Sequence, residues 1–167
     1  MNIRYATPED ATAIVKINVN GWKTAYRDIF PAEFLNHLSL DVDRTAQEIL
    51  KQPKNYYVAV DELGVILGFC FFGENRWEAF NSCDCELTAI YVDELAQGKG
   101  VGKALIKETA KELASRGKQK MLINVLEKNT KARLFYQHLG AKTIGNKDFI
   151  LNEVNYPQKT LALDITF

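Results

Sequence analysis

A strand that feeds directly into a glycine-rich turn and a helix constrains this chain more than any other feature of its sequence. Glu86-Leu87-Thr88-Ala89-Ile90-Tyr91-Val92 reads as the strand, and Gln97-Gly98-Lys99-Gly100-Val101-Gly102-Lys103 as the turn and the first helical residues. Glycines at alternate positions let the backbone approach a ligand closely, and the unsatisfied N–H groups of a first helical turn face a bound anion. The segment reads as a phosphate cradle. A P-loop would place glycine where Gln97 stands and Ser or Thr where Ala104 stands, so its metal-ligating hydroxyl is missing. A dinucleotide fingerprint would need its third glycine at Lys103, and no acidic residue ends a following strand to hold a ribose.

The spacing that remains, Q-x-x-G-x-G after E-L-x-x-I-Y-V, resembles the GCN5-related N-acetyltransferase (GNAT) superfamily. The segment from Asn129 to Ala141, NTKARLFYQHLGA, is similar to the same superfamily's N-x-x-A-x-x-F-Y-x-x-x-G-F block, departing at Ala141, where an aromatic is more usual. From the residues alone, Ala132, Phe135, Tyr136 and Leu139 form a stripe at helical spacing, and a tyrosine in such a stripe is ordinarily structural. The resemblance implies a different use. It implies that Tyr136 points its hydroxyl at the thioester sulfur of acetyl-CoA, that Asn129 hydrogen-bonds the pantetheine arm, and that Phe135 packs beside that arm. It also implies that the pyrophosphate lies on the turn from Gln97 through Gly98, Lys99, Gly100, Val101 and Gly102 to Lys103. Backbone amides of Ile90, Tyr91 and Val92 would then bond the pantetheine and the thioester oxygen, the strand splaying from its neighbour near Met121.

The rest of the chain reads as one α/β domain spanning residues 1–167. A chain of this length buries roughly 70% of its unfolded surface, so one core suffices without metal or disulfide. Residues 2–6 read as a strand, and Thr7 caps a helix with Pro8 at its first position. Residues 20–40 are aromatic and irregular, with Pro31 opening a short helix, and 41–51 read as another helix. Strands over 56–60 and 65–72 flank the turn at Asp61-Glu62-Leu63-Gly64. After the cradle, Gly102, Leu105, Ile106, Thr109, Ala110 and Leu113 share one helical face, and Gly117 ends that helix. A strand over 121–125, a helix capped by Asn129 or Thr130, and strands near 143–151 and 160–166 complete the order β-α-α-β-β-β-α-β-α-β-β. That order is the one expected of the superfamily, a mixed twisted sheet of about seven strands flanked by about four helices.

Cys70, Cys83 and Cys85 are odd in number and unlike a disulfide framework, which fits a reducing compartment. The N-terminus has no apolar signal core, and no run approaches the ~20 apolar residues of a membrane span, so a cytoplasmic location is expected. Net charge is zero but unevenly spread: residues 1–96 hold 8 Lys+Arg against 15 Asp+Glu, and residues 97–167 hold 13 against 6. A basic half suits a polyanionic cofactor and an acidic half a cationic substrate. Within 70–96, Glu74, Glu78, Asp84, Glu86, Asp93 and Glu94 face only Arg76, a candidate amine-attracting rim in which Glu78 and Asp84 bind substrate. Trp22 and Tyr26, followed by Phe30, are candidates for an aromatic wall of the acceptor site, against the default of core packing.

An amine attacks a thioester without a metal or a covalent intermediate; the protein must hold the two together, take a proton from the amine and stabilise the departing thiolate. Tyr136 is the candidate acid. Glu86, at the head of the strand, is the candidate base, with binding of a cationic substrate as its alternative. No His/Cys spacing matches a zinc site, and no G-x-S-x-G elbow surrounds a serine. The expected partners are acetyl-CoA and a primary amine, most similar to the polyamine and small-amine branch, with a homodimer as one assembly and neither nucleic acid nor membrane. Peptide N-terminal acetylation and a CoA-binding module without turnover are the alternatives.

Overall fold

The computed structural model describes residues 1–165. Seven strands form a mixed sheet in the order β1-β2-β3-β4-β5-β7-β6, and the chain alternates between two compact units. The first comprises Met1–Phe72 and Ala89–Thr109; the second comprises Gly73–Thr88 and the chain from Ala110 onward.

In the first unit, β1 (Asn2–Tyr5) leads through a 3-10 turn, Pro8–Asp10, into α1 (Ala11–Ala25). The Asp10 carboxylate makes that entry, accepting from the Thr7 amide at 2.8 Å and from the Arg4 guanidinium at 2.6 and 2.9 Å. Within the aromatic region expected to be irregular, 20–25 continue α1 and 26–30 form a turn and bend. α2 (Ala32–Asn36) follows Pro31, where a short helix is expected, so that five α-helices stand among the described residues where the sequence order counts about four. α3 (Val42–Lys51) starts at Asp41, whose side chain accepts from the Arg44 amide. β2 (Tyr56–Val60) is buried at every residue, as an inner strand must be, and pairs antiparallel with both β1 and β3 (Ile66–Glu74). Ile14, Ile17, Ile49, Val58 and Phe69 form the core beneath it.

In the second unit, β4 (Cys85–Val92) begins parallel to β5 (Lys120–Leu126), pairing Cys85, Glu86 and Leu87 with Met121, Leu122 and Ile123. β4 belongs to both units, changing at Thr88/Ala89. The sequence suggests a strand apolar on both faces, yet only its first three residues are buried; Thr88 is exposed and Ala89 to Val92 are half-buried. β5 pairs along its whole length with β7 (Val154–Asp164), which returns from β6 (Lys142–Leu151) through Asn152 and Glu153 at φ 48° and 64°. Two left-handed residues in a two-residue loop match the right-handed twist of a hairpin. The last strand therefore starts earlier than residue 160, and Thr166, expected in it, lies outside the described residues. α4 (Val101–Ser115) follows the cradle, with Leu105, Ile106, Thr109, Ala110 and Leu113 buried as their spacing requires; Gly102 is half-buried. α5 (Thr130–His138) precedes β6. No helix among the described residues is long and apolar enough to cross a membrane.

Candidate active site

The first unit carries the cradle. β4 ends at Val92, whose carbonyl accepts from the Gln97 side chain at 3.2 Å, and the Asp93 carboxylate caps a 3-10 turn (Glu94–Ala96) by accepting from the Leu95 amide. Gly98 and Gly100 then adopt φ +74° and +82°, the left-handed region that only glycine enters without cost. A Cβ at either position would meet no atom within 4 Å. Glycine is therefore required for backbone conformation rather than for space, and the volume over the turn is open. The first intrahelical bond of α4 runs from the Ala104 amide to the Gly100 carbonyl at 3.0 Å. The amides of Val101, Gly102 and Lys103 precede it and have no i−4 carbonyl within the helix. Val101 is buried and anchors the turn, whereas Gly98, Lys99, Gly100 and Lys103 are exposed. Exposed glycine backbone and two lysines at a helix N-terminus suit a polyanion.

Ile90, Tyr91 and Val92 are half-buried. The Tyr91 hydroxyl lies 3.2 Å from that of Tyr26, which joins the strand to the aromatic run on α1. Trp22 meets Tyr26 edge-on at 5.0 Å and stacks on Phe30 at 5.8 Å, and Phe34 closes the group. Burial pushes the Tyr26 phenol up, and the bond with Tyr91 offsets part of that rise. Trp22 and Tyr26, both half-buried, thus pack with Phe30 and Phe34, and Tyr26 makes a polar contact to Tyr91.

The second unit holds the carboxylates and α5. The Asn129 Oδ1 caps α5 by accepting from the Ala132 amide at 3.1 Å, which sets the helix bearing Phe135 and Tyr136. Tyr136 is buried, with the half-buried Phe135 ring 5.3 Å away.

Glu86 is buried and heavily engaged. Its carboxylate accepts Arg76 Nε at 3.0 Å and Nη2 at 3.2 Å, and Trp77 Nε1 at 3.0 Å. A carboxylate has about four acceptor positions, so one remains, on Oε2. Asn75 shapes the loop that delivers these donors: its Oδ1 accepts from the Trp77 amide, and its Nδ2 donates to the carbonyls of Phe80 and Cys83, each at 2.9 Å. On the other side, Lys147 of β6 places its Nζ 2.9 Å from the Trp77 ring centroid. Gly145, two residues earlier on the same face, allows this approach, because a Cβ there would lie 2.6 Å from Phe80 Cε1. Burial lowers the Lys147 pKa; the Glu86 charge opposes that shift and Arg76 adds to it.

Four of the six acids expected to form the rim are paired within the protein. Asp84, expected to bind substrate, instead accepts from the Gln119 and Lys120 amides and ties β4 to the entry of β5. Burial alone would raise its pKa, but those two amides hold it below the usual carboxylate range. Glu74 pairs with Lys118 at 2.5 Å, Glu86 with Arg76, and Asp93 with its turn amide. Glu78 and Glu94 are the exposed acids of this stretch outside such pairings. The sequence reading missed the roles of Asn75, Arg76, Trp77 and Lys147; the adjacent Arg76-Trp77 pair ten residues before a strand-head glutamate was the available signal. All three cysteines are buried and free, with burial pushing the Cys70 thiol up to about 12. No group of three metal-ligating side chains stands together among the described residues.

Residues 20–141 match the acetyltransferase (GNAT) family. The N-acetyltransferase YuaI of Bacillus subtilis, itself uncharacterised, is 34% identical over 151 residues, 89% of this chain and 84% of that protein. The L-amino acid N-acyltransferase MnaT of Escherichia coli is 29% identical over 84% of this chain and 78% of its own. The spermine/spermidine N(1)-acetyltransferase of B. subtilis is 26% identical over 89% and 92%. Among solved structures, the PaiA N-acetyltransferase of Thermoplasma acidophilum, in complex with coenzyme A, shares the fold with a TM-score of 0.72 at 18% identity, covering 98% of both chains.

Proposed function

The chain belongs to the acetyltransferase (GNAT) family, and from that premise we propose that it transfers the acetyl group of acetyl-CoA to a small primary amine by direct attack, acting as one domain. The observation that carries this reading is the turn with Gly98 and Gly100 in left-handed conformation, opening onto the α4 amides. When bound, acetyl-CoA supplies an acyl group activated as a thioester. The amides of Val101, Gly102 and Lys103, with the Lys99 and Lys103 side chains, hold its pyrophosphate. The Ile90, Tyr91 and Val92 backbone and the Asn129 Nδ2 hold the pantetheine, and Phe135 covers it. The Tyr136 hydroxyl gives its proton to the departing thiolate. Glu86 receives the ammonium proton of the acceptor at the position left on Oε2, directly or through a water.

Most of the acids of 70–96 are held by Arg76, Lys118 and backbone amides, which leaves few of them free to attract a polycationic acceptor. The relatives act on amino acids as well as on polyamines. Acetyl-CoA-dependent thiol release, screened against amino acids, polyamines, aminoglycosides and peptide N-termini, tests the reading. Release with at least one amine class supports it. Tight CoA binding without turnover on any class would leave a CoA-binding module.

A further inference from the structure

Resting on that acetyltransferase reading, we propose that the acceptor is a small aminocarboxylate, whose carboxylate is bound by Arg76 and Lys147 at the Trp77 ring while its amine lies toward Glu86. Three observations converge. First, Arg76 spends Nε and Nη2 on Glu86 and leaves Nη1, on a side chain 58% exposed, for a further acceptor. Second, Lys147 is half-buried, and among the described residues no carboxylate pairs with its ammonium; its close neighbour is the Trp77 ring. Burial of its ammonium outweighs the attraction of Glu86, which Arg76 already engages, so its pKa is lowered, and a bound carboxylate would restore the balance. Third, the arrangement is built rather than incidental. Asn75 fixes the loop carrying Arg76 and Trp77, and Gly145 lets β6 lie against Phe80 so that Lys147 reaches the ring.

Two cations around one carboxylate leave a net positive charge, which repels a polyamine and attracts a zwitterion's acidic end. The position left on Glu86 Oε2 takes its basic end. The site thus presents both signs in the order that an aminocarboxylate carries them.

The test uses the full-length protein and acetyl-CoA-dependent thiol release. Free α- and ω-amino acids are compared with their methyl esters and amides, and with spermidine. The free acids should exceed the matching esters in kcat/KM by about 10–100-fold, the range of a charge-assisted pair. Lys147→Met should raise KM for the acids and narrow the acid-to-ester ratio toward one, and Lys147→Arg should restore it. Arg76→Gln should narrow it too, but it also loosens Glu86, so Lys147 is the deciding position; circular dichroism confirms that each variant folds. Esters, amides or spermidine used as well as the free acids would overturn the aminocarboxylate proposal and leave the acetyltransferase standing. No thiol release with any amine would overturn both.

Discussion

Removing either partner of the Glu86–Arg76 pair should destabilise the protein unequally, and the inequality follows from where each partner sits. The Glu86 side chain is 5% exposed and that of Arg76 is 58% exposed. In Glu86→Gln, the Trp77 Nε1 donor can still be accepted by the amide oxygen, and Arg76 regains water on its open side. What is lost is the charge on two bonds and one donor facing a donor, a cost of about 2 kcal/mol after discounting for the exposed guanidinium. In Arg76→Gln the charge left behind is the buried one, held by the Trp77 indole, and losing one partner of a buried pair costs about 3–5 kcal/mol. At roughly 2–4 °C per kcal/mol for a chain of this size, the melting temperature should fall by about 4–8 °C for Glu86→Gln and about 6–20 °C for Arg76→Gln. Urea unfolding of wild type and both variants, with the slope m unchanged, reads the difference as a shift in midpoint. Arg76→Gln costing no more than Glu86→Gln, or both costing under about 0.5 kcal/mol, would refute the three-donor arrangement around a buried carboxylate.

Gly100→Val should abolish the rise in melting temperature produced by acetyl-CoA, because a β-branched residue at φ +82° is strained and its side chain occupies the open volume over the cradle; the fold itself should lose only about 1–2 kcal/mol by urea unfolding. Tyr136→Phe should lower kcat by about 10–10³-fold and leave CoA affinity within a few-fold, as steady-state kinetics and calorimetry would show. Asp10 and Asp84 both have depressed pKa values: burial raises each, but Arg4 and the Thr7 amide outweigh it at Asp10, and the Lys120 and Gln119 amides at Asp84. Their stabilisation is full above the unfolded value near 4 and is lost as pH falls through the lower folded values; Asp84→Asn should flatten that acid limb in melting temperatures measured from pH 2 to 6. Gly145→Val should push β6 off Phe80 at about 1–3 kcal/mol and raise KM for the acceptor, since Lys147 shares that face.

The cradle was legible because its signal is local. Gly98 and Gly100 stand where the chain needs φ above zero, and neither residue depends on a distant partner for that requirement. The buried face of α4 and the Asn129 cap of α5 were legible for the same reason, since helical period and capping chemistry act within a few residues. The carboxylates were not. Asp84 lies some 35 residues from the amides that it accepts, and Lys147 is 70 residues from Trp77, so their partners depend on the order β4-β5-β7-β6 rather than on neighbouring sequence. Counting acids against bases over a stretch treats such groups as free charges, although pairing across strands decides which of them solvent or substrate meets. α2 was legible from Pro31 alone, since five residues are too few for a period to be read.

Single-turnover transfer from acetyl-CoA labelled in its acetyl group tests the central claim most directly. With protein in excess and the acceptor added last, mass spectrometry of quenched samples follows label on the amine and on the intact protein. The account predicts that label passes to the amine at the rate of thiol release, that the protein never carries it, and that Tyr136→Phe slows both signals equally. Label accumulating on the protein before the amine, or thiol released with no acetylated amine formed, would contradict direct transfer at this site.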